Sequence, residues 1–318
     1  MRKRALLALT VFVLLSAASA SPADVSGLIS AGKADEALLA LRLRVQEHPG
    51  DPENYNLLCR VYLQLEDWDN AMRMGERSVT LQPQSSDFHM WLARAYGRKA
   101  EYANPFSAFS LARKFRSEME HAVALNPENL PARADLAEYY TDAPGIIGGD
   151  KSKAREQADY ISRTDPAQGH FVRAAIEEDE KTGKAEAEFK AALESSGYLA
   201  DYWIGLAGFY QRAGRMQEMQ SAVDSALTAA HKGSFYLFAG GTLLYQAGRN
   251  FPEAIRMLRA YIAAPDHSED APVFQAHYFI GRMLEQQSAA EAAEEYRAAL
   301  ALASTYRPAE DALARLSH

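Results

Sequence analysis

The chain has 318 residues, 48% of them hydrophobic, and a formal net charge of −8, which excludes the disordered class and argues against nucleic acid as a partner, since phosphate contacts need clustered Lys and Arg. A single cysteine, Cys59, excludes an internal disulfide framework and a CxxC metal site. Ala is abundant while Val and Ile are sparse, which favours helix over strand.

Residues 1–20 read as an address. Arg2, Lys3 and Arg4 precede an uncharged apolar run from Ala5 to Ala17, and Ala18-Ser19-Ala20 supplies a small-x-small site. This is the plan of a cleavable signal peptide. The run is shorter than the ~20 residues of a comfortable membrane span, and no cysteine follows it for a lipid anchor. The expectation is an exported chain, periplasmic or secreted, with no membrane insertion after cleavage.

A period follows. Pro49 and Pro83 lie 34 residues apart, as do Ala37 and Ala71. A fixed period in this range marks a solenoid of helix pairs. In the best-formed unit, Pro52 to Ser85, the residues Tyr55, Leu58, Cys59 and Tyr62 fall on one face of a first helix. Asp67 stands at the turn. Trp68, Ala71, Gly75 and Ser78 mark one face of a second helix, and small residues there let two backbones approach closely.

The next unit has Leu92-Ala93, Tyr96, Phe115, Met119, Ala122 and Pro127, interrupted by about ten inserted residues around 101–112. Asn104-Pro105 reads as a helix start, a capping side chain followed by Pro at the first helical position. The second helix of this unit is expected to run from Pro105 to Ala124, with Phe106 or Phe109 at the array's edge. The unit from Leu130 to Pro166 carries Leu136-Ala137, Tyr140, Ala154, Ala158 and Ile161, interrupted by Pro144-Gly-Ile-Ile-Gly-Gly-Asp-Lys151. This loop is not a phosphate-binding P-loop. Asp150 stands where the last glycine belongs, a carboxylate there repels phosphate, and no strand precedes it. Asp150 is instead expected to cap a helix starting at Lys151, with Ile146 and Ile147 pinning the loop to the array.

The unit from Gly169 to Ser196 is degenerate. Clear units return with Trp203, Leu206-Ala207 and Tyr210, then Gly240-Gly241, Leu244 and Tyr261, then Ile280-Gly281, Leu284 and Tyr296. Residues 308–316 form a capping helix. The pattern resembles the tetratricopeptide repeat (TPR), with its large residue, Leu-Gly and Tyr, then Ala, an aromatic, Ala and a closing Pro, and the whole is similar to an exported bacterial TPR protein. The resemblance implies an all-α, right-handed superhelical array (solenoid) of antiparallel helix pairs. Residues 21–318 form a single array of about seven repeats, the first of them incomplete.

Catalytic motifs are not apparent. The eight histidines are scattered without HExxH or i, i+4 pairing, no G-x-S-x-G elbow occurs, and Cys59 sits at a small-residue position of a repeat. No catalytic, cofactor or metal site is therefore expected. The TPR resemblance implies a concave groove lined by the first helix of each pair. Carried over by position, its partner-binding residues are Asn56, Arg60, Met90, Arg94 and Arg98, then Phe238, Tyr245, Tyr278 and Arg282. That makes the first half of the groove basic and the second aromatic. The function expected is a non-catalytic protein-protein interaction scaffold of the cell envelope, binding a partner protein or peptide. The alternative is a small-molecule-binding or enzyme-accessory protein using the 144–151 loop.

Overall fold

The computed structural model describes residues 22–316. The expected signal peptide lies outside them. Among the described residues the regular structure is helical, with no strand. The helices run in antiparallel couples: α1 (Pro22–Ser30) with α2 (Ala34–Glu47), α3 (Pro52–Gln64) with α4 (Trp68–Leu81), α5 (Ser86–Glu101) with α6 (Pro105–Leu125), and α7 (Leu130–Asp142) with α8 (Lys151–Ile161). Then come α9 (Pro166–Asp179) with α10 (Ala185–Ser195), α11 (Ala200–Arg212) with α12 (Met216–Thr228), α13 (Phe235–Gln246) with α14 (Phe251–Ala263), and α15 (Val273–Leu284) with α16 (Ala289–Leu302). The final α17 (Arg307–Leu316) closes the order. Eight couples are present among the described residues rather than about seven. The first is complete, because the chain from Pro22 onward suffices for a nine-residue α1.

Local chemistry sets the boundaries. Asp51, Asp67, Ser85, Asn104, Asn129, Asp150, Asp165 and Ser288 each accept a backbone N–H at the start of the helix that follows. Each such cap stabilises its helix by about 1 kcal/mol. Pro stands in the first turn after Asp51, Asn104, Asn129 and Asp165, where its missing N–H costs nothing. The turns inside couples need a left-handed residue. Gly32, Gly214 and Gly248 supply it, and Glu66 and Lys181 do so at φ +59° and +54°.

Small residues set the stacking distance. Ala71, Gly75 and Ser78 are all buried. A Cβ on Gly75 would lie 3.2 Å from Leu92 Cα and 3.3 Å from Cys59 Sγ, so α4 meets α3 and α5 closely. First helices of successive couples pack on each other, α3 on α5, α7 on α9, α11 on α13 and α13 on α15. They form one layer and the second helices another.

The two ends of the array meet. Gln64 Nε2 donates to the carbonyls of Ile29 and Glu269 at 3.0 and 2.8 Å, and Gln275 Nε2 donates to the Gln64 carbonyl. The Ser304 N–H donates to Asp35 at 3.0 Å, and the Tyr306 hydroxyl donates to Glu66 at 3.3 Å. The apolar core follows the same connection. Val25, Ile29, Leu41 and Leu57 share one cluster with Phe274, Ile280 and Tyr306, whereas Met90, Met119, Tyr140 and Ile161 belong to a second core in the middle repeats. The first two couples are therefore packed against the last two across a seam far apart in sequence.

Candidate binding cavity on the inner face

Closure leaves a cavity of about 760 Å³ on the inner face. Helices α3, α5 and α7 supply one wall and the segment between α14 and α15 the facing one. Asp135, Glu138, Tyr139 and Asp142 reach it from α7, where spacings of three, four and seven put them on one face. Phe115 of α6 stacks on Tyr139, with ring centroids 5.2 Å apart. Phe235, at the start of α13, is 41% exposed and also lines the space.

Three of the nine residues expected in the groove gather here. Arg60, Arg94 and Arg98 line the cavity, but each is already engaged. Arg60 Nε donates to Glu269 Oε2 at 3.1 Å across the seam. Arg94 Nε donates to Asp135 Oδ2 at 2.6 Å. Arg98 Nη1 lies 3.3 Å from both Glu101 carboxylate oxygens. The guanidinium carbons of Arg60 and Arg94 lie 5.0 and 4.7 Å from the Trp91 ring centroid, within cation–π range. Burial alone pulls the Arg94 pKa down, yet Asp135, Asp270 and Glu269 outweigh it and hold the charge more firmly than usual.

The expected basic lining is thus offset. Against these three arginines the cavity sets six carboxylates: Glu101, Asp135, Glu138, Asp142, Glu269 and Asp270. Once the three pairs are formed, Glu138, Asp142 and Asp270 remain without a cation within ion-pair distance among the described residues. Glu138 and Asp142 are both exposed to the cavity mouth; partial desolvation and the charges of Asp135 and Asp142, opposed by Arg98, raise the Glu138 pKa. Partial desolvation and the neighbouring Asp179 raise that of Asp142. Gln64 belongs to the same wall, is 6% exposed, and its Oε1 has no hydrogen-bond donor.

The other six expected groove residues lie elsewhere. Asn56 and Met90 are buried. Phe238 is buried against Phe279 and Tyr261, and Tyr245 packs on Phe279 at 5.3 Å. Tyr278 meets the capping Tyr306 edge-on at 5.7 Å and accepts a hydrogen bond from Arg282 Nη1 at 2.9 Å. The aromatic half is core between neighbouring repeats, because bulky rings on adjacent first helices pack on each other before they face a ligand. Sequence reasoning missed Gln64, Trp91, Glu138, Asp142, Glu269 and Asp270. The one readable signal was the acidic face of α7.

The 144–151 loop is satisfied internally. Asp150 accepts from the N–H groups of Ser152 and Lys153. The Lys151 ammonium donates to the Thr141 carbonyl and pairs with Asp179. The Ile147 carbonyl accepts from Tyr139 Oη at 2.8 Å and Arg116 Nη1 at 3.2 Å. A Cβ at Gly149 would collide with the Ala143 carbonyl, so close backbone approach explains that glycine. Ile147 is half-buried, but Ile146 is exposed and does not pin the loop. At 76% exposure its side chain lacks the apolar packing that pinning requires. At the opposite departure from the period, Phe106 and Phe109 are both exposed on the protruding start of α6.

Paired helices, small residues at their crossings and left-handed intra-couple turns decide the architecture. This is an all-α array of antiparallel helix pairs, similar in its pairing to tetratricopeptide-repeat proteins. No family model matches the chain, and no curated protein matches it. Similar solved structures include a thermophilic TPR protein of Thermus thermophilus, 22% identical, covering 57% of this chain and 93% of that one at a TM-score of 0.48. A TPR protein from Parabacteroides merdae is 13% identical, with 92% and 96% covered and a TM-score of 0.47. The Cut9-Hcn1 assembly of the APC/C is 16% identical, with 93% of this chain and 48% of that one covered, at 0.47. The all-α solenoid reading rests on the chain's own helix pairing. No helix among the described residues is long and apolar enough to cross a membrane.

Proposed function

We propose that this chain is a non-catalytic scaffold of the cell envelope, exported by its N-terminal signal, that receives a segment of a partner polypeptide in the inner cavity. The carrying observation is the cavity itself, about 760 Å³ in volume and walled by first helices of several repeats. Pockets of this size hold a short extended segment or a single organic ligand rather than a folded domain. The loop at 144–151 supports a ligand role less well, because its lysine and carbonyls are already partnered.

A cavity-filling variant tests this reading. Ala100 lines the cavity from α5, and Ala100→Trp fills it without changing charge. Peptides selected against residues 21–318 from a displayed random library should lose binding to the variant, with circular dichroism unchanged. Equal binding to both proteins would put the interaction on another surface. Mass spectrometry of the chain recovered from the periplasm or medium should give a mature N-terminus at Ser21. An unprocessed chain in the cytosol would refute export.

A further inference from the structure

The cavity's charge and aromatic content specify its occupant further. We propose that the inner cavity binds an organic cation, an ammonium or guanidinium group carried on a flexible chain. The inference rests on the inner face being the binding site and names the chemistry it takes.

Four observations lead there. First, Glu138, Asp142 and Asp270 face the cavity without a cation within ion-pair distance, while the three arginines nearby are committed to other carboxylates. An anionic ligand would meet this excess of negative charge with no free cation to offset it. Second, Gln64 on the wall already donates its Nε2 to the Ile29 and Glu269 carbonyls, so it offers an incoming anion no free donor. Third, Phe115, Tyr139 and Phe235 provide aromatic surface beside the carboxylates, and aromatic faces attract ammonium and guanidinium groups. Fourth, the free carboxylates do not converge. Among the described residues no three His, Cys, Asp or Glu side chains are placed to hold a metal ion. Separated carboxylates suit charges spread along a chain rather than a single ion.

Protonation gives a consequence. Partial desolvation and neighbouring negative charge, opposed by Arg98 at Glu138 and by Lys151 at Asp142, raise both carboxyls. A bound cation favours the ionised forms, so binding weakens as pH falls through the range where these carboxyls protonate.

Two sources carry this chemistry, a lysine or arginine side chain of a polypeptide and a free polyamine. The test is titration calorimetry of residues 21–318 with four probes: spermidine, a capped penta-lysine peptide, its penta-glutamate counterpart and a capped Gly-Ser peptide. Each is repeated on Glu138→Gln/Asp142→Asn, which removes unpaired carboxylates and leaves the fold intact by thermal melt. The inference expects at least one cation to bind, with affinity about tenfold lower in the double variant, and the glutamate and Gly-Ser peptides not to bind. Penta-lysine binding supports both the cation and the scaffold readings. Spermidine binding alone supports the cation and removes the polypeptide partner. Glutamate peptide binding as tight as penta-lysine overturns the cation inference and leaves the scaffold standing. The inference also fails if neither cation binds or if the double variant binds unchanged.

Discussion

Replacing Gly32 by Ala should weaken the seam between the array's ends, and a second glycine supplies the control. Gly32 sits at φ +66° in the α1–α2 turn, and an added Cβ would stand 2.5 Å from the Val273 nitrogen and 3.1 Å from the Pro272 carbonyl carbon. Both are backbone atoms and cannot swing aside. Gly214 occupies the equivalent α11–α12 turn at φ +73° with nothing within 4 Å of its added Cβ. Gly214→Ala therefore carries only left-handed strain, about 1–2 kcal/mol. Gly32→Ala carries the same strain plus an overpacking cost of about 1–3 kcal/mol. The excess falls on contacts that Gln64, Glu269 and Ser304 make across the seam. Hydrogen exchange reads it directly: amides at the seam should lose about 5- to 150-fold more protection in Gly32→Ala than in Gly214→Ala, the factor corresponding to 1–3 kcal/mol. Equal losses in the two variants, or a loss at the α1–α2 turn alone, would show that the ends are not held together.

Further predictions concern single side chains. His89 is buried, with Nε2 facing the Pro83 carbonyl at 3.0 Å and Nδ1 facing the Glu118 carboxylate. Burial opposes its charge, but Glu118 and Pro83 outweigh burial and raise its pKa. The stability this contributes is complete below the unfolded value of about 6.5 and is lost as pH rises through the higher folded value. His89→Gln should cost about 1–2 kcal/mol in urea titrations at pH 5.5 and less at pH 9; a constant difference refutes the charged pair. Hydrogen bonds from Arg215, Lys190 and Tyr210 hold the Glu186 carboxyl down to about 2. Its contribution is present above the unfolded value of about 4.3 and is lost as pH falls toward 2. Glu186→Gln should therefore cost about 0.5–1 kcal/mol at neutral pH and progressively less as pH falls through about 2, measured by the same titrations. Cys59 is fully buried and its thiol is pushed up to about 12 by burial, so it should resist iodoacetamide in the native protein and react only in denaturant. Modification of the folded chain at neutral pH would contradict that burial.

Legibility differed sharply between local and distant features. The α3–α4 unit was readable because its caps, its small-residue face and its closing Pro are all local. Asn104-Pro105 marked the start of α6, and Asp150 the start of α8, for the same reason: a cap spans two or three residues. Seam contacts have no local signature. Gln64 and Glu269 belong to different repeats at opposite ends of the array, and nothing near either one in sequence says that the array curves far enough for them to meet. The groove assignments inherited an open array. Arg60, Arg94 and Arg98 did reach the cavity, since their places on first helices are set by the period. Their partners Glu269 and Asp135, which decide the cavity's charge, come from another end and another repeat.

Glu66 shows the seam acting on a local rule. The intra-couple turns of α1–α2, α11–α12 and α13–α14 place Gly at the left-handed position, but α9–α10 places Lys181 there and α3–α4 places Glu66 there at φ +59°. A side chain in that conformation costs about 1–2 kcal/mol relative to Gly. What offsets the cost lies across the seam, where the Glu66 carboxylate accepts from the hydroxyl of Tyr306, a residue only 1% exposed. Removing that acceptor leaves a buried phenol unsatisfied, at about 1–3 kcal/mol. Glu66→Gly alone should therefore be close to neutral or destabilising, strain relief being cancelled by the orphaned hydroxyl. In a Tyr306→Phe background no hydroxyl remains to orphan, and the same change should stabilise the chain by about 1–2 kcal/mol. The double-mutant cycle isolates the interaction from the backbone term. If Glu66→Gly has the same effect in both backgrounds, the carboxylate does not serve the seam, and its presence at a glycine position has another cause.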